Sequence, residues 1–263
     1  MIGPALHPAD PGDQTHLEFL GWTVQIEDRE MLRWVDLEVP RGRIVALVGP
    51  TGSGKSILLS SVNRLLADLP GARWEGAVKL GGTPLWGRGV DDLALKRRTS
   101  SLFRHGAVLP GTVFHNIAFP LKLDGIKDPR ILAEAVERAL RAASGWEALR
   151  KQLEREAGPL PIGLRQIVNL ARALVGSPEI LLLDEPCGDL DPRETEMFER
   201  AILEIPGRTT VLLATHNLAQ ASRLPHRVAF FMDGQLVEYG PTDRVFQRPL
   251  RTRTEDYLSG RFG

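Results

Sequence analysis

The amino-acid sequence predicts an α/β protein in which a mostly parallel β-sheet is wrapped by helices. Short apolar runs at 43–48 and 179–183 have the length and composition of buried strands. Segments with apolar residues at helical spacing follow them, at 55–66 and 193–205. Strands that alternate with helices in this way are typical of a parallel sheet covered by helices.

The first third of the chain predicts a tail and then a β-rich region. Residues 1–16 are rich in Pro, Gly and Asp, which predicts a flexible tail. Residues 17–39 have a β-like pattern interrupted by a polar turn at 27–30, and we expect an antiparallel β subdomain there. Further strands are expected at 76–80 and 100–103.

The middle of the chain predicts an inserted helical subdomain at about 104–164. Asp128 is suited to cap a helix, Pro129 to occupy its first position, and apolar residues follow at helical spacing. A second helix is expected around 146–154. The surrounding core is predicted to consist of two ranges, about 17–103 and about 165–263.

The last third returns to alternating helices and strands. The expected elements are helices at 164–175 and 193–205 and strands at 179–183, 209–214, 228–232 and 235–239. Asp233 and Gly234 separate the last two strands, and this dipeptide is a strong signal for a tight hairpin turn.

The composition excludes several classes of function. Lys+Arg and Asp+Glu are equal at 33 each, so no bulk charge favours nucleic acid or anionic lipid as a partner. The single cysteine, Cys187, excludes an internal disulfide framework and fits a reducing compartment. The start of the chain lacks the features of a signal peptide, and its apolar runs are far shorter than the roughly 20 residues of a membrane helix. We expect a soluble or peripheral protein.

A glycine-rich segment follows the apolar run at 43–48 and matches the eight-residue P-loop pattern in full. It consists of Gly49, Pro50, Thr51, Gly52, Ser53, Gly54, Lys55 and Ser56. Glycines allow backbone N–H groups to approach phosphate oxygens closely, and the helix that follows directs its positive dipole end at them. The Lys55 ammonium is expected at the β- and γ-phosphates, and the Ser56 hydroxyl in the Mg²⁺ shell. The sequence therefore predicts a P-loop NTPase that binds ATP.

Two carboxylates and one histidine follow later strands. Asp184 and Glu185 come at the end of the apolar run at 179–183, where open α/β sheets bind ligands. We expect Asp184 to hold Mg²⁺ and Glu185 to polarise the attacking water. His216 closely follows the strand at 209–214 and is expected to hydrogen-bond the γ-phosphate.

The order of these motifs resembles the nucleotide-binding domain of ABC transporters, from about residue 17 onward. The carrying segments are GPTGSGKS, ILLLDEP, LDP and ATHN. The segments DEPCGDLDP, FHNIAFPLKL and TEDYLSGRFG more specifically resemble the ATPase subunit of bacterial phosphate importers, the PstB family.

The resemblance implies a pair of such subunits, identical or paralogous, on the cytoplasmic face of the bacterial cell membrane. They would act on two membrane-spanning permease subunits and, indirectly, on an external solute-binding protein, with no nucleic-acid partner. Two ATP molecules with Mg²⁺ would lie between the pair, each held by one chain's P-loop and the other chain's signature helix. Asp191 matches the loop that couples the two sites, and Gly163 belongs to the signature.

The signature is where this chain departs most from the family. The family sequence is Leu-Ser-Gly-Gly-Gln, whereas the aligned residues here are Leu160, Pro161, Ile162, Gly163 and Leu164. In the family, the serine hydroxyl and the glycine N–H groups bind the partner's γ-phosphate. Pro161 supplies neither group, and Ile162 places a branched side chain where close approach is needed. We therefore expect slow hydrolysis by a homodimer and normal hydrolysis beside a relative with an intact signature.

Two further positions depart from the family. Arg104 aligns with the glutamine that ligates Mg²⁺, and a permanently charged donor cannot ligate a cation. The aromatic residue that stacks on adenine in the family aligns near Gln25 and Ile26. Trp22 is the only aromatic residue close by; it either substitutes for the stacking residue or belongs to the core, and we expect the core.

Several functions remain open on the sequence alone. The main one is ATP hydrolysis that drives import of inorganic phosphate. The alternatives are an ATP-binding regulatory or degenerate partner subunit with little hydrolysis, and an importer ATPase for another solute. DNA-repair or translation ABC ATPases usually need more than 263 residues, and a P-loop kinase would not explain the ATHN segment.

Overall fold

The computed structural model describes residues 3–7, 13–104, 107–205, 207 and 209–261. The chain divides into two compact units. The first unit comprises Met1–Lys96 and Thr210–Gly263, and the second comprises Arg97–Thr209. In the described residues, no helix is both long and apolar enough to span a membrane.

Strands and helices alternate along most of the described chain. The strands are β1 (Ala5–Leu6), β2 (Thr15–Ile26), β3 (Arg29–Pro40), β4 (Ile44–Val48), β5 (Ala72–Leu80), β6 (Thr83–Pro84), β7 (Thr99–Phe103), β8 (Ile180–Asp184), β9 (Thr210–Thr215), β10 (Arg227–Met232) and β11 (Gln235–Pro241). The helices are α1 (Lys55–Val62), α2 (Asp92–Arg98), α3 (Val113–Leu123), α4 (Pro129–Ala142), α5 (Trp146–Leu149), α6 (Ile162–Leu174), α7 (Pro192–Leu203), α8 (Leu218–Arg223), α9 (Thr242–Gln247) and α10 (Thr252–Leu258). A short 3₁₀ helix covers Leu65–Asp68.

Five strands of one sheet belong to the first unit, in the order β1-β11-β10-β4-β9. The pairs β1–β11, β10–β4 and β4–β9 are parallel, and only the hairpin β10–β11 is antiparallel among these neighbours. Every residue of β4, β9 and β10 is buried, as their apolar composition requires. The hairpin turn has positive φ at Asp233 and Gly234, as the Asp-Gly signal predicts. The predicted mostly parallel sheet is confirmed.

A second sheet in the same unit is antiparallel, with the order β3-β2-β5-β6. It confirms the predicted antiparallel β subdomain. Leu17, Phe19, Trp22 and Val24 of β2 are fully buried, and a register irregularity between Phe19 and Trp22 interrupts the alternation. The Tyr239 hydroxyl of β11 donates to the Glu38 carbonyl of β3 at 2.7 Å, which ties the two sheets together.

The second unit contains the parallel pair β7–β8 and a group of packed helices. Helices α3, α4 and α6 pack against one another, and α6 also packs on α7 and β7. α4 begins as predicted, with the Asp128 side chain accepting from the Arg130 N–H at 2.8 Å and Pro129 in the first turn. α5 ends at Leu149, five residues before the predicted end at 154. The inserted helical subdomain is confirmed as part of the fold, and its boundaries at 104 and 164 stay a prediction.

The N-terminal segment differs from the predicted flexible tail where it is described. Ala5–Leu6 form a strand that pairs in parallel with Glu238 and Tyr239. His7 is buried, and its Nε2 lies 2.7 Å from the buried Glu238 Oε1. A buried carboxylate needs partners, and His7 supplies one. The predicted tail also includes residues 1–2 and 8–12, which lie outside the described residues.

Candidate functional site

The P-loop begins where the buried strand β4 ends. Gly49 directly follows Val48 and has φ of 148°, a conformation open to glycine. A Cβ atom at Gly49 would lie 2.0 Å from the Phe231 carbonyl oxygen and 2.9 Å from Ser53 Oγ. The backbone of β10 and the loop therefore approach so closely that only glycine fits at the first P-loop position.

Lys55 is folded into this loop. Its side chain is buried, and Nζ donates to the carbonyl oxygens of Gly49 at 2.8 Å and Pro50 at 2.9 Å. Nζ also lies 3.4 Å from Ser53 Oγ. The loop therefore encloses a positive charge at the N-terminus of α1, which has its own positive dipole end.

The start of α1 fits an anionic ligand. Gly54 caps the helix with φ of 101°, and a Cβ there would lie 2.6 Å from Leu32 Cδ2. The first turn of α1, all of whose residues are described, contains no acidic side chain. Ser56 is exposed, so its hydroxyl is accessible. These features match a triphosphate with Mg²⁺, which prefers oxygen ligands that include substrate phosphates.

His216 lies at the same edge of the sheet as the P-loop. In the parallel pair β4–β9, Val48 is level with Thr215, so Gly49 and His216 each follow a paired strand end. His216 is exposed, and Asn217 behind it caps α8 by accepting from the Gln220 N–H at 3.1 Å. The structure therefore places the predicted histidine beside the P-loop within one unit.

Asp184 ends the buried strand β8 in the second unit, and Glu185 directly follows it. β8 pairs in parallel with β7, and Asp184 is level with Phe103. Asp184 and Glu185 are both half-buried, and Glu185 has φ of 49°, an unusual backbone conformation for a residue with a side chain. The turn after them is held by the Gln166 amide of α6, which donates to the Pro186 carbonyl at 2.7 Å. Two carboxylates thus stand on a rigid strand end.

Arg104 follows Phe103 at the same edge of the pair β7–β8. Its Nε lies 3.1 Å from Asp189 Oδ1, and a terminal nitrogen donates to the Gly188 carbonyl at 3.3 Å. The guanidinium therefore binds the turn after Glu185. An arginine engaged with a carboxylate has no lone pair for a metal ion, so it cannot replace a Mg²⁺-binding glutamine.

Asp191 and Gly163 are linked by a residue whose role the sequence did not predict, Glu194. Asp191 caps α7 by accepting from the N–H groups of Arg193 and Glu194, both at 2.8 Å. Glu194 completes this capping box, because its Oε2 accepts from the Asp191 N–H at 3.2 Å. Its other oxygen, Oε1, accepts from the Gly163 N–H of α6 at 2.9 Å. The Asp-x-x-Glu spacing is a sequence signal for the box, but not for the bond to Gly163.

The positions aligned with the adenine-stacking residue carry no aromatic ring. Ile26 ends β2, and the Gln25 amide donates to the Glu27 carbonyl at 2.9 Å. Trp22 is fully buried, donates from Nε1 to Ser61 Oγ at 2.9 Å, and lies 5.7 Å from the Trp86 ring. The expectation that Trp22 belongs to the core is confirmed.

The predicted site residues thus fall into two groups. The first unit holds the P-loop and His216, and the second unit holds Asp184, Glu185, Asp191 and Gly163. Within each unit, the structure brings the predicted residues to the ends of neighbouring parallel strands or to the start of a helix.

Comparison with known proteins identifies a family and several relatives. Residues 32–188 match the family model described as "ABC transporter". A phosphate import ATP-binding protein PstB from Idiomarina loihiensis is 37% identical over 253 residues, covering 96% of this chain and 93% of that protein. The PstB protein of Pseudoalteromonas translucida is 38% identical and covers 95% of this chain and 91% of its own length.

A solved structure shares the fold. The structure of cbiO1 from Clostridium perfringens, part of the ABC transporter complex cbiONQ, superposes with a TM-score of 0.79. The two chains are 20% identical, and the match covers 94% of this chain and 97% of the other. The predicted fold class is confirmed by this likeness together with the sheets described above.

Proposed function

The chain belongs to the ABC transporter family and is an ATP-binding subunit similar to PstB, and on that premise we propose that it hydrolyses ATP to drive inward transport of inorganic phosphate. The proposed place of action is the cytoplasmic face of the bacterial cell membrane, beside membrane-spanning permease subunits and a second ATPase subunit. An external binding protein would deliver the solute. Support for phosphate comes from relatives that are 36–38% identical along nearly the whole chain and are named phosphate import proteins.

The observation that carries nucleotide binding is the position of Lys55. Its ammonium is enclosed by the P-loop carbonyls of Gly49 and Pro50 at the N-terminus of α1. Phosphate oxygens are strong acceptors for an ammonium and for the loop N–H groups, whereas Asp and Glu are absent from the first turn of this fully described helix. Residues 49–56 are therefore our assignment for the triphosphate.

We assign the reaction chemistry to residues of both units by their resemblance to the family. Ser56 and Asp184 would hold Mg²⁺, which supplies positive charge to the phosphate oxygens when bound. Glu185 would accept a proton from the attacking water, and His216 would donate a hydrogen bond to the γ-phosphate. Asp191 and Gly163 would transmit the state of one site to the other.

Replacement of Lys55 tests the assignment of the P-loop. We expect Lys55→Ala to lower the affinity for Mg-ATP by at least about tenfold, because it removes charge-assisted contacts worth about 1.5–3 kcal/mol each. Lys127→Ala, which removes an exposed lysine before α4, is the matched control and should bind like the wild type. Equal binding by Lys55→Ala and wild type, measured by equilibrium dialysis with labelled ATP, would refute the assignment.

Phosphate as the solute requires a test in the assembled transporter. We expect the gene for this chain to restore uptake of labelled phosphate in a bacterium whose own importer ATPase keeps its signature but has alanine in place of its P-loop lysine. The Glu185→Gln variant should fail to restore it. Restoration of uptake of a different solute, with phosphate uptake unchanged, would contradict the proposal.

A second candidate function is an ATP-binding partner subunit with little hydrolysis of its own. Two observations favour it, namely the Arg104–Asp189 ion pair and the N-cap Pro161, which makes no side-chain cap bond. Measuring phosphate release by the purified chain separates the two functions, because a purely regulatory subunit binds ATP without hydrolysing it.

A further inference from the structure

The N-terminus of α6 is the place where the family binds the phosphate of a partner's nucleotide. In this chain, Pro161 is the N-cap, with no N–H and no side-chain cap bond. The Arg165 N–H donates to the Pro161 carbonyl at 3.0 Å, which is the i to i−4 bond at the start of the helix. The N–H groups of Ile162, Gly163 and Leu164 therefore precede the regular helical bonds and are the donors that an anion would need.

One of these donors already binds a carboxylate. Glu194 Oε1 accepts from the Gly163 N–H at 2.9 Å, across 31 residues of sequence. The contact is close-packed as well as polar, since a Cβ at Gly163 would lie 2.8 Å from Glu194 Cγ and 2.9 Å from Cδ. The glycine that survives from the signature therefore makes room for a side chain of the same chain.

The carboxylate is held in place from a second direction. Glu194 Oε2 accepts from the Asp191 N–H at 3.2 Å, so one side chain caps the starts of both α6 and α7. Negative charge is stabilised at a helix N-terminus, and here two helices contribute. A phosphate that approached α6 would compete for the same N–H and would meet a like charge.

We propose that Glu194 closes the N-terminus of α6 to nucleotide, and that the subunit which completes this chain's ATP site is a different chain. The partner is an ABC ATPase whose signature offers the serine hydroxyl and the glycine N–H groups, with no carboxylate hydrogen-bonded to them. This inference rests on the proposed function. It adds that the signature position of this chain is itself closed, so that a homodimer would leave both of its ATP sites incomplete.

A first test leaves Glu194 unchanged and asks whether ATP makes the chain pair with itself. We expect the Glu185→Gln variant to bind ATP without hydrolysing it and to stay monomeric in sedimentation velocity at saturating Mg-ATP, with ATP binding measured in the same sample. An ATP-induced homodimer would overturn the inference. Lack of ATP binding by wild type in the same assay would overturn both the inference and the proposed function, so the two failures are distinguishable.

A second test removes the carboxylate. Glu194→Ala removes both acceptor oxygens from the start of α6, and we expect phosphate release by the chain alone to rise at least about tenfold, with ATP affinity unchanged within about twofold. The matched control is Glu196→Ala, which removes the same side chain from an exposed position on α7 that pairs with Arg200 at 2.6 Å. Unchanged turnover in Glu194→Ala, or an equal rise in Glu196→Ala, would overturn the inference.

A third test asks directly whether an open partner completes the site. The double variant Lys55→Ala/Glu194→Ala has a disabled P-loop and an opened α6, and it should be mixed with wild type. We expect ATP turnover only in the mixture, since the wild-type P-loop then faces an open helix. Mixing wild type with Lys55→Ala alone should give no such gain. Equal turnover in the two mixtures would overturn the inference.

Discussion

Two helices of this chain begin where the family places phosphate, and their starts differ in charge. α1 follows a glycine with positive φ, encloses the Lys55 ammonium and has no acidic side chain in its fully described first turn. α6 follows a proline, and its Gly163 N–H already binds the Glu194 carboxylate. Both starts have the positive dipole end of a helix, but only α1 is prepared for a ligand from outside the chain.

The comparison shows that a degraded motif is more than a set of missing groups. Pro161 removes a hydroxyl and an N–H, which by itself would leave the other donors of α6 available to phosphate or water. Glu194 adds an internal anion that occupies one of these donors. The loss of the signature is therefore accompanied by a carboxylate of the same chain, which is hydrogen-bonded at the start of α6.

The largest effect is expected from adding a methyl group at Gly49, in the loop before α1, compared with Gly163 in the first turn of α6. Gly49→Ala places Cβ 2.0 Å from the backbone oxygen of Phe231, which cannot move without displacing β10. We expect a loss of at least about 3 kcal/mol in the free energy of unfolding, together with loss of ATP binding. Gly163→Ala meets a side chain instead, and alanine favours a helix, so the change should stay within about 1 kcal/mol.

Urea denaturation of the two variants checks this difference. Gly176→Ala is the control, because a Cβ there meets no atom within 4 Å. If Gly49→Ala and Gly163→Ala lost equal stability, the contrast between a backbone contact and a side-chain contact would be wrong.

The next largest effect concerns Glu185, which we assign to proton transfer. Glu185→Gln should lower phosphate release by about 100-fold or more while ATP binding is retained, because general-base catalysis typically contributes a factor of that size. The measurement mixes the Glu185→Gln chain, whose P-loop is intact, with the double variant that carries substitutions at Lys55 and Glu194. Glu154→Gln, at an exposed position, should behave like wild type. Loss of ATP binding in Glu185→Gln would instead indicate a structural role.

Local signals in the sequence predicted those parts of the fold whose causes are themselves local. The run at 43–48 became β4, the Asp128 cap began α4, and Asp233-Gly234 formed the hairpin turn. The strand β1 was not predicted, because its partner is β11, more than 200 residues away. α3 was also not predicted, since Pro120 inside it contradicts the usual helical pattern.

In the candidate site, too, the local features were predicted from the sequence and the contacts between distant residues were not. The P-loop is contiguous in sequence, so its residues and their order were sufficient to predict a glycine-rich turn with a lysine at the start of the next helix. The bonds of Arg104 to Asp189 and of Gly163 to Glu194 join residues 85 and 31 positions apart. Neither bond has a sequence pattern of its own, so the closed start of α6 became visible only in three dimensions.

A smaller effect is expected at the cap that positions Glu194. Asp191→Ala removes the side chain that accepts from the N–H groups of Arg193 and Glu194. We expect a loss of about 1 kcal/mol in the free energy of unfolding, whereas Asp191→Asn should keep most of the cap. Chemical denaturation distinguishes them, and equal stability of wild type and Asp191→Ala would show that the box contributes little to holding Glu194.

The smallest effect concerns acid stability of the unit that carries the P-loop. Burial, and then the positive charge of Arg43, lower the pKa of His226, although Asp13 opposes them. The neutral imidazole fits the structure, because Nδ1 accepts from the Ile44 N–H at 3.1 Å, at the start of β4.

Since the pKa of His226 is lower in the folded state than the unfolded value of about 6.5, the contribution of His226 to stability is present above that pH and is lost as pH falls through the lowered value. His226→Asn retains an acceptor without a titration. Between neutral and mildly acidic pH, the melting temperature of wild type should therefore fall by about 1 °C more than that of His226→Asn. Parallel melting curves of the two proteins across this range would mean that β4, and the P-loop after it, do not depend on the charge of His226.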